Sequence, residues 1–524
     1  MTGEGGALAL VLHAHLPYVR SARPGSLEED WFFQALLECY LPLLEVLEAA
    51  AGDPAQAPRI TIGLSPTLLS LLSDPDLIQR FPGWLNARLD LLPLADPALS
   101  EGADHLAERI RQQRQSWADC GGDLISRFAA LQRIGVVDLL TCGATHGYLP
   151  LLRHNPEAIR GQLRTAVREH QRLLGERPLG IWLPECAYYE GLDAWMRDAG
   201  LRYAVLDGHG LLHARPRPRY GVYAPICSRN GVAFFGRDSE ATLPVWSAKD
   251  GYPGHPDYRE FHRDLGWDLP LEALEPLGLS EPRPLSLKLH RVTDHAVALD
   301  HKQPYRPEIA ATRIRGHARH YLQGRRQQLH RLQRDMGTPP LLVAPFDAEL
   351  FGHWWFEGPS FLGELFRQGP AEGMRFTRLR DVLNNQPTLQ LCDPCPSSWG
   401  QGGYHNYWLN DTNAWIVPEW ERAGAAMVQR CSRGVGSELA LSYLKQAGRE
   451  LLLAQSSDWS FILRAGTTTD LARERVERHL GRFWTLMNAI DSGEHLSEHW
   501  INRVEADDRL FPLIQPSDWA KVAV

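Results

Sequence analysis

The chain has 524 residues, 44% of them apolar and 23% charged, with a net charge of −8. That length exceeds one simple core, so two or three domains are expected, in an ordinary soluble globular composition. The acidic balance excludes nucleic acid as the main partner, because phosphate binding needs a basic face.

In chain order, Ala7–Leu12 is a continuous apolar run, the pattern of a strand buried on both faces. It is too short to span a membrane and ends in His13-Ala14-His15-Leu16-Pro17-Tyr18. Phe32–Glu48 reads as an amphipathic helix and Arg59–Leu64 as a second strand. From about Pro75 to Gln132 strand runs vanish and helical stretches appear, longer than the roughly 12 residues a crossover needs, so 75–132 reads as a helical insertion. Val136–Thr141 restores the strand pattern and leads to Gly143-Ala144-Thr145-His146. Pro156–Leu174 is helical; Leu179–Trp182 is a strand stopped by Pro184, with Glu185 just beyond. Tyr203–Leu206 and Val232–Phe235 are further strands, and Ser239–Gly266 reads as a long lid or binding loop. After the Pro307–Met336 helix, Leu341-Leu342-Val343-Ala344-Pro345-Phe346-Asp347 fits the same description as the Glu185 stretch, an apolar run followed by Pro and then one acid. Beyond about Gln386 three long helical patterns follow.

The alternating order indicates an α/β protein with a parallel sheet. Polar clusters follow nearly every strand end, and a barrel gathers those on one face. No glycine-rich phosphate motif follows a strand, so nucleotide binding has no support. The expected division is a catalytic barrel over 1–390, the 75–132 insertion inside it, and a helical domain over 391–524. Eight scattered cysteines, with Cys392-Asp-Pro-Cys395 the lone CxxC, point to reduced thiols in a cytoplasmic protein rather than a zinc site.

Glu185 and Asp347 both fall just past strand ends, where a barrel mouth would bring them together. A carboxylate pair is what glycosyl transfer or hydrolysis requires, either residue being able to take either role. Glu349 and Glu357 are rival acids on the aromatic stretch Asp347–Gly358, which also holds His353 and Trp354. Aromatic neighbours would keep an acid protonated for a leaving group. The 17 Trp suit sugar faces, and Trp399 and Trp408 are placed to wall a cleft between domains; Trp415 and Trp420 fall on a helical pattern and read as core. His13-x-His15 with His146 is also how some metal-dependent hydrolases begin a metal site, but nearby Pro17, Tyr18 and Trp31 favour sugar contact. Arg263 and Trp267 flank the long loop.

Five stretches in order, His13–Tyr18, Gly143–Pro150, Trp182–Glu185, Asp347–Gly358 and Ser457–Trp459, resemble glycoside hydrolase family 57, within it the α-1,4-glucan branching subgroup. The resemblance implies an incomplete (β/α)7 barrel with a helical insertion and a C-terminal helical domain. It implies Glu185 as nucleophile and Asp347 as general acid/base of a retaining double displacement on α-1,4-glucan, making α-1,6 branches. It implies His13, His15, Trp31, His146, Trp267, Trp399, Trp408 and Asp458 as substrate contacts, to which Arg263 and Trp354 are added, and no metal or cofactor. Branching members are similar in carrying a Tyr on a mobile loop, whereas no Tyr lies between Cys227 and Lys249 here; Tyr220, Tyr223 and Tyr252 fall outside. The alternatives are an α-glucan hydrolase with the same pair, a glucan-binding protein without turnover, and a metal-dependent hydrolase built on His13 and His15.

Overall fold

The computed structural model describes residues 5–21, 25–53, 57–247, 249–386 and 388–521. Strands β1 (Ala7–Ala14), β2 (Ile60–Leu64) and β3 (Val137–Leu140) line up side by side in parallel, every residue of each buried. Burial on both faces is why these runs read as continuous rather than alternating. After them come β4 (Gly180–Ile181), β5 (Tyr203–Leu206), β6 (Ile226–Cys227), β7 (Ala233–Gly236), β8 (Leu341–Asp347) and β9 (Gln390–Leu391). One sheet has the order β3-β2-β1-β8 and the other β4-β5-β7-β6-β9. They meet at both sides. Thr141 pairs with Ile181 beyond β3 and β4, and Asp238 N–H, past β7, donates to Val343 O of β8 at 2.9 Å.

Two strands differ from expectation. β8 runs on through Pro345, pairing in register with β1 so that His13 stands beside Asp347. By strand alternation Pro345 shares the side of Val343, which faces the sparse β7 contact, so its missing N–H breaks no bond to β1. β4, in contrast, stops at Ile181, because Pro184 is followed by Glu185 (φ 61°) and Cys186 (φ 49°), both left-handed.

The expected insertion is helical, with Pro75–Leu91, Ser100–Asp119 and Leu124–Arg133. The stretch read as a loop from Ser239 is a correction: Asp238 accepts from Glu240 N–H and caps a helix over Ser239–Trp246, followed by a 3₁₀ turn at Tyr252–Gly254. Ala248, within that stretch, lies outside the described residues. Beyond β9 there are five helices among the described residues rather than three: Ile416–Ser432, Glu438–Ala454, Ser457–Ala465, Thr469–Ser492 and Glu498–Asp507. Trp420 is buried there as expected. All eight cysteines are free, and no helix among the described residues is long and apolar enough to cross a membrane.

Candidate active site

The C-terminal ends of β1, β3, β4 and β8 deliver His13 and His15, His146, Glu185 and Asp347 to one cavity of about 490 Å³. Residues near strand carboxyl ends converge in this way in parallel α/β folds. The helical region closes the opposite wall, since Ser457 N–H donates to His146 O at 3.1 Å and so carries Asp458, Phe461 and Ile462 inward. A larger surface hollow of about 660 Å³ is lined by Glu45, Glu48, Asp119 and Arg127 and has no aromatic wall.

Glu185 is the most firmly held carboxylate of the pair. Its Oε2 accepts from Trp399 Nε1 at 2.8 Å and its Oε1 from Ser457 Oγ at 3.2 Å. Its main chain is in the left-handed region, where a non-glycine residue costs energy that its surroundings must offset. Trp399 N–H donating to Glu185 O at 3.0 Å is one such restraint. Burial raises Glu185 to about 7, the Trp399 bond acting against it and the Asp347 charge with it. Asp347 has no side-chain hydrogen-bond partner among the described residues, and burial plus the neighbouring Glu349 charge push it to about 8.

The histidines form a stack. His13 lies flat on Trp182 at 4.7 Å between centroids, and His15 on His146 at 3.9 Å. His13 Nε2 and His146 Nε2 are 3.0 Å apart. One must donate and the other accept, which neutral rings can do, and burial lowers both well below the ordinary histidine value. His15 bonds Ser65 Oγ at 2.9 Å and Asp458 at 3.1 Å. Burial alone would raise Asp458, but the charge and hydrogen bond of His15 outweigh it and lower the carboxyl to about 2. His15, His146 and Asp458 each offer an atom within 4.8 Å of the others and could together hold a cation. In the structure these atoms are engaged in hydrogen bonds, His146 through Nδ1 to Ser457 Oγ at 2.8 Å.

Trp31, Trp354 and Trp399 line the cavity, Trp354 being 46% exposed and so available to a ligand face. Trp408 does not line it. It is buried, stacks on Tyr148 at 4.6 Å and lies so close to Gly400 that a Cβ there would sit 2.5 Å from its ring. It therefore supports the Trp399 loop from behind. Trp267 is exposed and outside the cavity, and Arg263 pairs with Asp268 at 2.9 Å instead of reaching it. Of the rival acids, Glu349 is on the wall, whereas Glu357 is buried elsewhere, accepting from Arg259 N–H at 3.0 Å. Sequence reasoning missed Phe461 and Ile462, which helical spacing from Asp458 places on the same face, and Gln34, three residues from Trp31. Thr467 and Thr468 carried no signal.

Comparison with known proteins bears on this arrangement. The sequence profile of glycosyl hydrolase family 57 matches residues 9–267, and that of the 1,4-alpha-glucan branching enzyme C-terminal region matches 419–519. A 1,4-alpha-glucan branching enzyme of Thermococcus kodakarensis is 32% identical over 93% of this chain and 74% of its own length. Among solved structures, a novel alpha-amylase from Thermotoga maritima aligns with a TM-score of 0.91 at 33% identity, covering 99% of this chain and 100% of its own. A family 57 branching enzyme from Pyrococcus horikoshii aligns at 0.89 and 29%, covering 99% and 97%. The chain belongs to glycosyl hydrolase family 57.

Proposed function

We propose that this protein is a 1,4-α-glucan branching enzyme working by retaining double displacement. Glu185 attacks the anomeric carbon while Asp347 protonates the departing glycosidic oxygen. Asp347, now ionised, then takes the proton of a 6-hydroxyl on an acceptor glucan, whose oxygen displaces Glu185 and leaves an α-1,6 branch. The observation that carries this reading is the contrast between two acids in one cavity. Glu185 is held by two donors that favour its charged form, whereas Asp347 has no side-chain donor among the described residues and is pushed up by burial and the Glu349 charge. The tryptophan walls suit apolar sugar faces and the His15–Asp458 pair suits hydroxyls. Its similarity to a protein named a branching enzyme over most of both chains supports the same choice.

The proposal extends to the architecture. The seven parallel strands β1 to β5, β7 and β8, with β6 antiparallel to β7, are read as an incomplete (β/α)7 barrel within 1–390, with 75–132 inserted and 391–524 as a helical domain. The joins at Thr141–Ile181 and Asp238–Val343 support it. A cytoplasmic setting is supported by the eight free thiols.

Hydrolysis is the second reading, favoured by two observations. No Tyr lies between Cys227 and Lys249, and Tyr252, the next one on, bonds His320 Nδ1 at 2.7 Å away from the cavity. A close structural match is also described as an amylase. Incubation with amylose decides. New α-1,6 anomeric signals by NMR, without a matching rise in reducing ends, support branching; reducing ends alone support hydrolysis.

A further inference from the structure

Glu349 takes no part in the bond-making scheme above, yet it is buried on the cavity wall two residues past Asp347. One oxygen, Oε1, accepts from His15 N–H at 3.0 Å and from the Tyr40 hydroxyl at 2.5 Å. Tyr40 ends a π-helical turn, Leu36–Tyr40, in which Leu41 N–H reaches back to Leu36 O. Such turns are rare and recur at functional sites. Here three consecutive side chains of the turn grip the Asp347 loop. Glu38 bonds His353 Nδ1 at 2.7 Å, Cys39 donates to Ala348 O at 3.0 Å, and Tyr40 holds Glu349. The two backbones are so close at Gly352 (φ 121°) that a Cβ there would lie 1.7 Å from Glu38 O. Only glycine permits that approach.

We propose that Glu349 is the positioning residue for the Asp347 proton: anchored by Tyr40 and the His15 main chain, its carboxylate keeps a proton on Asp347 until the glycosidic oxygen takes it. This rests on Asp347 being the general acid/base. The titratable and charged groups around the two carboxyls are His13 in β1, in register with Asp347, His15 after β1, Cys39 and Tyr40 of the π-turn, Glu185 after β4 and Arg237 after β7. Burial is the largest influence on both, and raises Glu349 to about 7. For Asp347 the Glu349 charge comes next in the same direction, with His15 and Arg237 opposing. Two neighbouring carboxyls on one cavity wall resist carrying two charges at once and titrate as a pair.

The test is the pH dependence of kcat/KM on maltooligosaccharides for the wild-type protein and for Glu349→Gln, Tyr40→Phe and Asp347→Asn. Glu349→Gln removes the like charge and should move the alkaline limb down by roughly one pH unit, with kcat falling more than KM changes. Tyr40→Phe removes a donor that favours ionised Glu349, so it should move the limb the same way by less. Circular dichroism and thermal melting establish which variants fold; if Glu349→Gln does not, Tyr40→Phe decides. Folded variants that keep the wild-type alkaline limb overturn the proposal while leaving the acid/base assignment standing. Wild-type turnover by Asp347→Asn removes that assignment and the proposal with it.

Discussion

Trp399→Phe isolates one bond to the nucleophile. The indole Nε1–H donates to Glu185 Oε2 at 2.8 Å, and the ring also packs edge-on to Trp182 at 5.0 Å. Phenylalanine keeps most of the packing and removes the donor. A hydrogen bond to a charged group contributes about 1.5–3 kcal/mol, and one pKa unit corresponds to about 1.4 kcal/mol. Taking the lower figure, because water can enter the space left by the indole, Glu185 should rise by about one unit from its value of about 7. The bond favours the ionised form, so its loss makes the nucleophile harder to ionise and the acid limb of kcat/KM moves to higher pH. At neutral pH the ionised fraction falls from roughly one half to one tenth, a roughly five-fold loss in kcat/KM that shrinks toward alkaline pH. Initial rates on maltooligosaccharides across the pH range measure this. An acid limb that stays in place in a folded variant, or moves to lower pH, would refute the assignment of Glu185 as the group that must be ionised.

Stability should respond in the opposite sense to activity at Asp347. Its folded value, about 8, lies above the ordinary ~3.9 of an unfolded chain, so native stability falls as pH rises through that window. Asp347→Asn carries no such cost and should melt on the order of 2–4 °C higher at alkaline pH, with the gap closing near pH ~4, as followed by calorimetry. Trp354→Ala should raise KM for oligosaccharides roughly 5–30-fold with little change in melting temperature, because the side chain is half-exposed on the cavity wall. Trp408→Ala should instead destabilise the fold by about 3–5 kcal/mol, since that ring is buried against Tyr148. Dialysis against EDTA should leave the transfer rate unchanged; a loss restored by zinc would reassign His15, His146 and Asp458 as metal ligands.

The buried strands were legible because full burial writes an unbroken apolar run, as in β1, where all eight residues are buried. Their ends marked Glu185 and Asp347, and the structure brings both to one cavity. The helix over Ser239–Trp246 was hidden by its Pro244 and surrounding glycines and aromatics; its signal was the single cap Asp238. Trp267, Trp399 and Trp408 look alike in sequence. Only the packing distinguishes an exposed ring outside the cavity, one that bonds Glu185, and one that supports its loop. The π-turn was illegible for a different reason: inside Phe32–Glu48 its pattern is that of an α-helix, and the extra residue shows only in the Leu41 N–H bond back to Leu36 O, which brings Tyr40 to Glu349.

The central claim, that Glu185 forms a covalent glycosyl intermediate with Asp347 as the acid, is tested most directly by mass spectrometry. Maltosyl fluoride needs no acid to expel its leaving group, so Asp347→Ala should still react with it and then stall, because no base activates the acceptor. The account predicts a single maltosyl adduct mapped by peptide digestion to Glu185, absent from the Glu185→Gln, Asp347→Ala double variant. An adduct on another carboxylate, or its persistence in that double variant, would contradict it.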